Sequence, residues 1–327
     1  MINNWKKLKV LIAGCGSIGR RHARVLFSMG VEDIMIYDKN QEQAEQLKKD
    51  LPDVISVDTF EKGLSSADVT FILTPTKLHI PMAIQAVKAG CHVFIEKPLS
   101  VSTDGITELE DLAGKAGKKI MVGLCFRYHE GVKKVRQILD SGRISRLVSI
   151  RALVGEHFPD VHPEYKSLYY ARYSGAFELM HDLDLAIWFA GQNVKNVYSV
   201  YGSYSDIGIE APDIAEVLIR FEDRCIATVH MDFFQSPRRR YLELIGVEGV
   251  IILEFASWDQ YTISVYNRKC GKWESETCKS NRDEMFRDED RDFLISVAHD
   301  KPVFCDIREG CKSLRVIEAA QKNITDI

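Results

Sequence analysis

Gly14-Cys15-Gly16-Ser17-Ile18-Gly19 forms a G-x-G-x-x-G set directly after the apolar run 9–13 and at the start of an amphipathic stretch. In that setting the spacing has a mechanism. The first glycine permits a tight turn, the second lets a pyrophosphate approach the backbone, and the third lets helix meet strand, while the helix N-terminus attracts the phosphate charge. Asp38 follows the second apolar run, 33–37, and lies 19 residues beyond Gly19, where a carboxylate accepts hydrogen bonds from both ribose hydroxyls of an adenosine. The same charge repels a 2′-phosphate, so NAD is the expected cofactor; Lys39 beside it tolerates a phosphate and leaves NADP open. The glycine pattern alone is weak, and a glycine-rich turn with a surface aspartate is the bland alternative. Strand, loop, helix and acid together favour the dinucleotide site.

These residues need a scaffold, and the sequence writes one. From residue 9 to about 123, short apolar runs at 9–13, 33–37, 69–73, 92–95 and 119–122 alternate with amphipathic stretches at 18–29, 41–50, 80–89 and 103–116. That alternation predicts a parallel sheet with crossover helices, and Gly30, Gly90 and Gly117 stand where helices stop. After one more helix at 130–140 the pattern changes to strands at 147–154, 196–204, 214–221, 225–234, 241–246, 250–254 and 261–266. Turn residues such as Glu222-Asp223-Arg224 and Glu248-Gly249 separate pairs of them and predict antiparallel hairpins. Helices are expected at 175–190, 284–299 and 309–323. The predicted architecture is therefore an α/β Rossmann domain with a doubly wound parallel sheet (1–124), plus an α+β C-terminal domain with a large open antiparallel sheet (125–327).

The 327 residues carry a formal net charge of -4, which provides no basic field for nucleic acid or an anionic membrane. The apolar runs are strand-length, far below the roughly 20 residues that span a bilayer, and no signal peptide is read in the first nine residues. Eight cysteines show no C-x-x-C pair and no zinc-like spacing with histidine. Reduced thiols, a cytoplasmic location and no metal are expected.

Further motifs point to a family. Thr74-Pro75-Thr76-Lys77-Leu78-His79 follows the third of the long apolar runs and Glu96-Lys97-Pro98 the next; Arg127-Tyr128-His129 comes later, and a helix bearing His181 and Asp184 runs on to Trp188 and Gly191. With the glycine loop, these make the chain resemble the glucose-fructose oxidoreductase and inositol dehydrogenase family, Gfo/Idh/MocA, over nearly its whole length. The resemblance implies a Rossmann domain, an open sheet in the second domain, dimers or tetramers, and oxidation or reduction at a sugar or cyclitol carbon. A branch associated with surface-sugar or sialic-acid-like metabolism is similar in the V-G-x-x-x-P-D-x-x-P segment from Val154 to Pro163, which contains His157, in His230-Met231-Asp232 and in Arg238-Arg239-Arg240.

Hydride transfer from a carbinol requires a group that takes the hydroxyl proton. His181, with an unperturbed pKa near 6.5, suits that role, and Lys97, at a strand's carboxyl end, suits stabilisation of alkoxide charge. Glu178 and Asp182 share a helical side with His181, so either can orient the imidazole or grip a substrate hydroxyl. Many family members carry Asp four residues before this His, where Phe177 stands here, and Glu178 is the candidate replacement. Thr74, Pro75, Thr76, His79, Glu96 and Lys97 complete the expected cofactor site, with His79 either near the nicotinamide or capping the helix behind it. Arg127, His157, Arg239 and Arg240 are the expected substrate contacts. Arg127 can instead pair with an acid, and the arginine turn can bind a carboxylate or phosphate or be surface charge. The expected function is an NAD-dependent dehydrogenase of a sugar, sugar acid or cyclitol in which the Lys97 ammonium and the His181 imidazole meet beside the nicotinamide. A catalytically silent NAD-binding regulator and an enzyme that recycles a retained NAD are the alternatives.

Overall fold

A computed structural model describes residues 4–162 and 164–322. Pro163 and Asn323, expected to end a motif and a helix, lie outside the described residues. The chain forms two compact units, one comprising the residues up to Cys125 together with 283–314, the other Phe126–Arg282 with the residues from Arg315 onward. The return of 283–314 to the first unit does not match the contiguous second domain read from sequence, because a helix's amphipathic stripe says that it packs but not against which core.

In the first unit, β1 (Lys9–Ala13), β2 (Asp33–Tyr37), β3 (Ile55–Ser56), β4 (Val69–Ile72), β5 (His92–Glu96) and β6 (Ile120–Gly123) form one sheet. Its order is β3-β2-β1-β4-β5-β6, with every pair parallel. Helices α1 (Ser17–Ser28), α2 (Gln41–Asp50), α3 (Phe60–Leu64), α4 (His79–Lys88) and α5 (Ile106–Ala116) make the connections. A parallel sheet covered on both faces needs continuous apolar strands, and Val10, Leu11 and Ile12 are fully buried, each contributing about 1.5–3 kcal/mol. The strand order reverses between β1 and β4, so the glycine loop after β1 and the Thr74 loop after β4 flank the crevice where open α/β sheets take ligands.

The second unit holds α6 (Glu130–Asp140), β7 (Leu147–Gly155), α7 (Phe158–Val161), α8 (Tyr169–Arg172), α9 (His181–Ala190), β8 (Val194–Gly202), β9 (Ile214–Phe221), β10 (Ile226–Asp232), β11 (Arg239–Gly246), β12 (Gly249–Glu254), β13 (Gln260–Asn267) and β14 (Lys272–Lys279). Its sheet runs β14-β13-β12-β11-β7-β10-β9-β8. Hairpins dominate as expected, yet β10 lies parallel to β7, so the sheet is mixed rather than purely antiparallel. The cause is the long connection after β7, which carries α7 to α9 and lets β8, β9 and β10 meander back to β7's free edge. The strand β14 escaped the sequence reading because its burial is almost nil along its length, leaving no apolar alternation. Two helices, α10 (Arg282–Ala298) and α11 (Ile307–Lys322), end the described chain. No helix among the described residues is long and apolar enough to cross a membrane.

Candidate active site

The cofactor half is built by the first unit. Gly14 adopts φ +102°, and a Cβ there would lie 2.4 Å from the Leu73 carbonyl oxygen. A Cβ on Gly19 would come within 1.9 Å of the Gly14 oxygen, so these two glycines are demanded by packing. Gly16 differs: a Cβ there would meet nothing within 4 Å, and as N-cap of α1 it offers no side-chain cap to the first-turn amides. Open space before uncapped N–H groups is what a pyrophosphate needs, so the residues fit a dinucleotide. Ser17 and Ile18 supply the first turn of that helix.

Asp38 accepts from the Cys15 amide at 2.7 Å and the Asn40 amide at 2.8 Å. It therefore braces the glycine loop, a duty that its spacing did not reveal. A carboxylate has about four acceptor sites, so capacity remains for ribose hydroxyls. Burial, then the charge of Asp38, pushes the Cys15 thiol up to about 12, which keeps the residue between the glycines uncharged and inert.

Glu96 ends β5, Lys97 follows it, and the Lys97–Pro98 bond is cis. Lys97 is half-buried and Glu96 buried; a Cβ on Gly123 would lie 2.3 Å from Glu96 Oε2, so that glycine gives the carboxylate its room. His79 is buried, with Nδ1 2.9 Å from the Pro98 carbonyl oxygen and Nε2 2.8 Å from that of Thr74. It makes no side-chain cap for the helix that it begins. Instead it welds the Thr74-Pro75-Thr76 loop to the turn that carries Lys97. Burial pulls its pKa below the ordinary value, and Lys97's charge adds to this against the two carbonyls.

A second polar cluster in this unit joins α1 to α10. His22 Nδ1 lies 2.8 Å from Asp290, with Phe94, Phe286 and Phe71 around the ring. His22, Glu289 and Asp290 offer metal-ligand atoms within 4.8 Å of one another. Among the described residues neither Glu289 oxygen has a hydrogen-bond partner. Burial, then the charges of Glu96 and Asp290, pushes the Glu289 carboxyl well above its usual range. Burial beside like charges favours the neutral form of this carboxyl.

In the second unit, residues 175–190 are not one helix. A 3-10 turn, Gly175–Leu179, precedes α9, whose first residue is His181. His181 is buried, its ring 4.5 Å from that of Phe126. Phe177 is buried against Tyr201, at 4.7 Å, so the position that holds Asp in many family members faces the core here. Glu178 is half-buried and accepts from Ser174 Oγ at 3.1 Å.

The arginines change role. Arg127, 2% exposed, donates to both oxygens of Asp184 at 2.9 and 2.8 Å, the acid-pairing alternative rather than a substrate contact. Arg240 is buried and donates through Nε and Nη2 to Asp182, at 2.7 Å for the shortest contact. Asp182, expected beside His181, and Arg240, expected at the substrate, are thus paired with each other. Arg239 and Arg240 open β11, so they point to opposite faces; Arg239 is exposed and cannot share a ligand with its neighbour. Arg238 pairs with Glu156 at 2.9 Å and lies over Trp258. His157 Nδ1 faces Asp160 at 2.8 Å on α7. His230 is held by Asp232 at 2.7 Å and by Glu216 at 2.5 Å, and these two hydrogen bonds raise its pKa to about 9. Asp232 also accepts from the amides of Phe234 and Gln235, shaping the bend that leads to Arg238. Phe126, Glu156 and Trp258 were missed from sequence, since neither motif nor periodicity distinguishes them from ordinary core or surface residues.

Residues 8–124 match the oxidoreductase family with an NAD-binding Rossmann fold, and residues 132–252 match the GFO/IDH/MocA C-terminal domain. A UDP-N-acetylglucosamine 3-dehydrogenase from Acidithiobacillus ferrooxidans is 24% identical over 94% of both chains. An inositol 2-dehydrogenase from Agrobacterium fabrum is 27% identical over 55% of this chain and 54% of its own. Among solved structures, the A. ferrooxidans enzyme superposes with a TM-score of 0.82 at 21% identity, covering 97% of this chain and 98% of its own. A levoglucosan dehydrogenase in complex with NADH and levoglucosan gives 0.86 at 19% identity, covering 97% of each chain. At these identities the structural likeness speaks for the fold.

Proposed function

Since the chain belongs to the Gfo/Idh/MocA oxidoreductase family and is an NAD-binding enzyme of the dehydrogenase type, we propose that it moves hydride between nicotinamide and the carbinol or carbonyl carbon of a sugar, sugar acid or cyclitol. The observation that carries this reading is the glycine cradle, with open space at Gly16, uncapped amides at α1 and Asp38 beside them. The cofactor, when bound, supplies the hydride acceptor or donor. Lys97, held on a turn that His79 braces, stabilises negative charge on the reacting oxygen. His181 exchanges the hydroxyl proton, and Glu178 grips a neighbouring substrate hydroxyl. The Asp38 carboxylate favours NAD over NADP by repelling a 2′-phosphate. Relatives that act on a nucleotide sugar and on inositol support a polyhydroxylated substrate.

The test is NAD reduction on a panel of myo-inositol, levoglucosan, free hexoses, hexuronic acids and UDP-N-acetylglucosamine. Lys97→Ala and His181→Ala should each lower kcat by about 10²-fold or more while NAD affinity stays within threefold. Normal turnover in either variant on an accepted substrate defeats that role. For assembly, we propose a homo-oligomer that uses the outer sheet face. Tyr198 and Leu218 are paired across β8 and β9 and are 57% and 40% exposed, with Val200 and Ile226 exposed nearby. Light scattering should give a dimer or tetramer, and Tyr198→Lys with Leu218→Lys should shift it to monomer.

A further inference from the structure

We infer that the Arg240–Asp182 ion pair is a positioning device for His181, acting through the ring of Phe126, rather than a contact for substrate. The inference rests on the acid/base role proposed for His181.

The geometry is a stack. The Arg240 guanidinium lies 4.1 Å from the centre of the Phe126 ring, and that ring lies 4.5 Å from the His181 imidazole, tilted by 44°. Arg240 is in turn clamped by Asp182, through Nε at 3.0 Å and Nη2 at 2.7 Å to one oxygen and Nε at 3.2 Å to the other. Asp182 follows His181 on the first turn of α9. The chain thus closes a loop of contacts that runs from His181 to Phe126, to Arg240, to Asp182 and back through one peptide bond. The loop fixes both the rotation of α9 about its axis and the face on which the imidazole rests. Phe255, 6.0 Å from the Phe126 ring and 5.5 Å from the guanidinium, and Trp258, 6.0 Å from the Phe126 ring, leave that ring little freedom to turn.

Energetics favour positioning over stability as the reason for such a pair. Both residues are buried, and the cost of burying the Asp182 carboxylate exceeds what Arg240 returns, so its pKa stands above the ordinary value. Buried ion pairs of this kind often stabilise no better than well-packed apolar residues. What apolar residues lack is direction: two guanidinium nitrogens meeting one carboxylate define an orientation that a methionine beside a leucine does not. A general base displaced by about 1 Å loses up to roughly 10²-fold in rate, so orientation is worth keeping here.

The experiment separates folding from alignment. The double variant Asp182→Leu with Arg240→Met should retain its melting temperature within a few degrees, since it removes both charges together. If Arg240 positions His181, kcat on the accepted member of the substrate panel should fall at least tenfold in this variant, with KM for substrate and for NAD changing less than threefold. Arg240→Lys, which keeps charge but not the fork, should fall between the double variant and wild type. A substrate-independent readout accompanies these: with ¹³Cε1-labelled histidine, the His181 signal, assigned by its loss in His181→Ala, should be single in the wild type and broadened or split in the double variant and in Phe126→Leu. A double variant with wild-type kcat and an unchanged His181 signal overturns the inference. Should His181→Ala itself turn over normally, the underlying acid/base reading fails instead, and the histidine signal still decides whether the pair orients the ring.

Discussion

Replacing Asp184 by Asn removes the charge that faces Arg127 in the most deeply buried ion pair of the second unit. The two side chains are 1% and 2% exposed, the contact is bidentate at 2.8 and 2.9 Å, and the guanidinium also sits 5.4 Å from the Trp188 ring. Breaking a buried pair from one side costs about 3–5 kcal/mol, because the remaining charge stays behind unpaired. For a unit of this size each kcal/mol moves the midpoint by about 2–4 °C, so the melting temperature should drop by roughly 6–20 °C. Calorimetry and urea unfolding on Asp184→Asn and on Arg127→Met with Asp184→Leu measure this directly. The apolar double variant should recover most of the loss. A loss below about 1 kcal/mol for Asp184→Asn would mean that the arginine has another partner ready, and the assignment of Arg127 to scaffold rather than to substrate would fall.

Asp38→Ser should weaken NAD and relax the preference against NADP at least tenfold. It should also cost about 1–3 kcal/mol of stability, because the Cys15 amide loses its acceptor; an unchanged ratio of NAD to NADP affinity refutes the ribose assignment. Glu289→Gln should raise stability at neutral pH. Burial raises the carboxyl's pKa well above its ordinary value in the folded state, whereas once unfolded it ionises near about 4.3, so stability is fully present below that unfolded pKa and is lost as pH rises from there toward the folded value. The glutamine variant should therefore match wild type near pH 4 and gain on it steadily toward pH 8; a variant that gains nothing at pH 8 shows that Glu289 is ionised and compensated.

The parts of this protein that are legible in its sequence are those whose chemistry is local. Gly14, Gly16, Gly19 and Asp38 belong to two adjacent strand ends, and their spacing alone announces a dinucleotide site because strand, turn and helix follow one another in the chain. The same holds for five of the six strands of the first sheet, whose apolar runs identify burial on both faces, whereas the two-residue, exposed β3 left no such run. Tertiary structure decided everything that depends on which distant charge meets which. Arg127 and Asp184 are 57 residues apart, Arg240 and Asp182 58, and although an acid partner for Arg127 is an open alternative in the sequence, nothing along the chain indicates which acids of α9 take these arginines. Three consecutive arginines read as an anion-binding turn, as surface charge or as a subunit contact, and the start of β11 sends Arg239 and Arg240 to opposite faces. The departure at Phe177 was visible as a letter; that it faces Tyr201 in the core, leaving Glu178 in a half-buried polar place, was not. A sequence specifies periodicity and residue chemistry, whereas pairing between elements is set by the sheet register and by the desolvation of charges that have to find a partner once the chain closes around them.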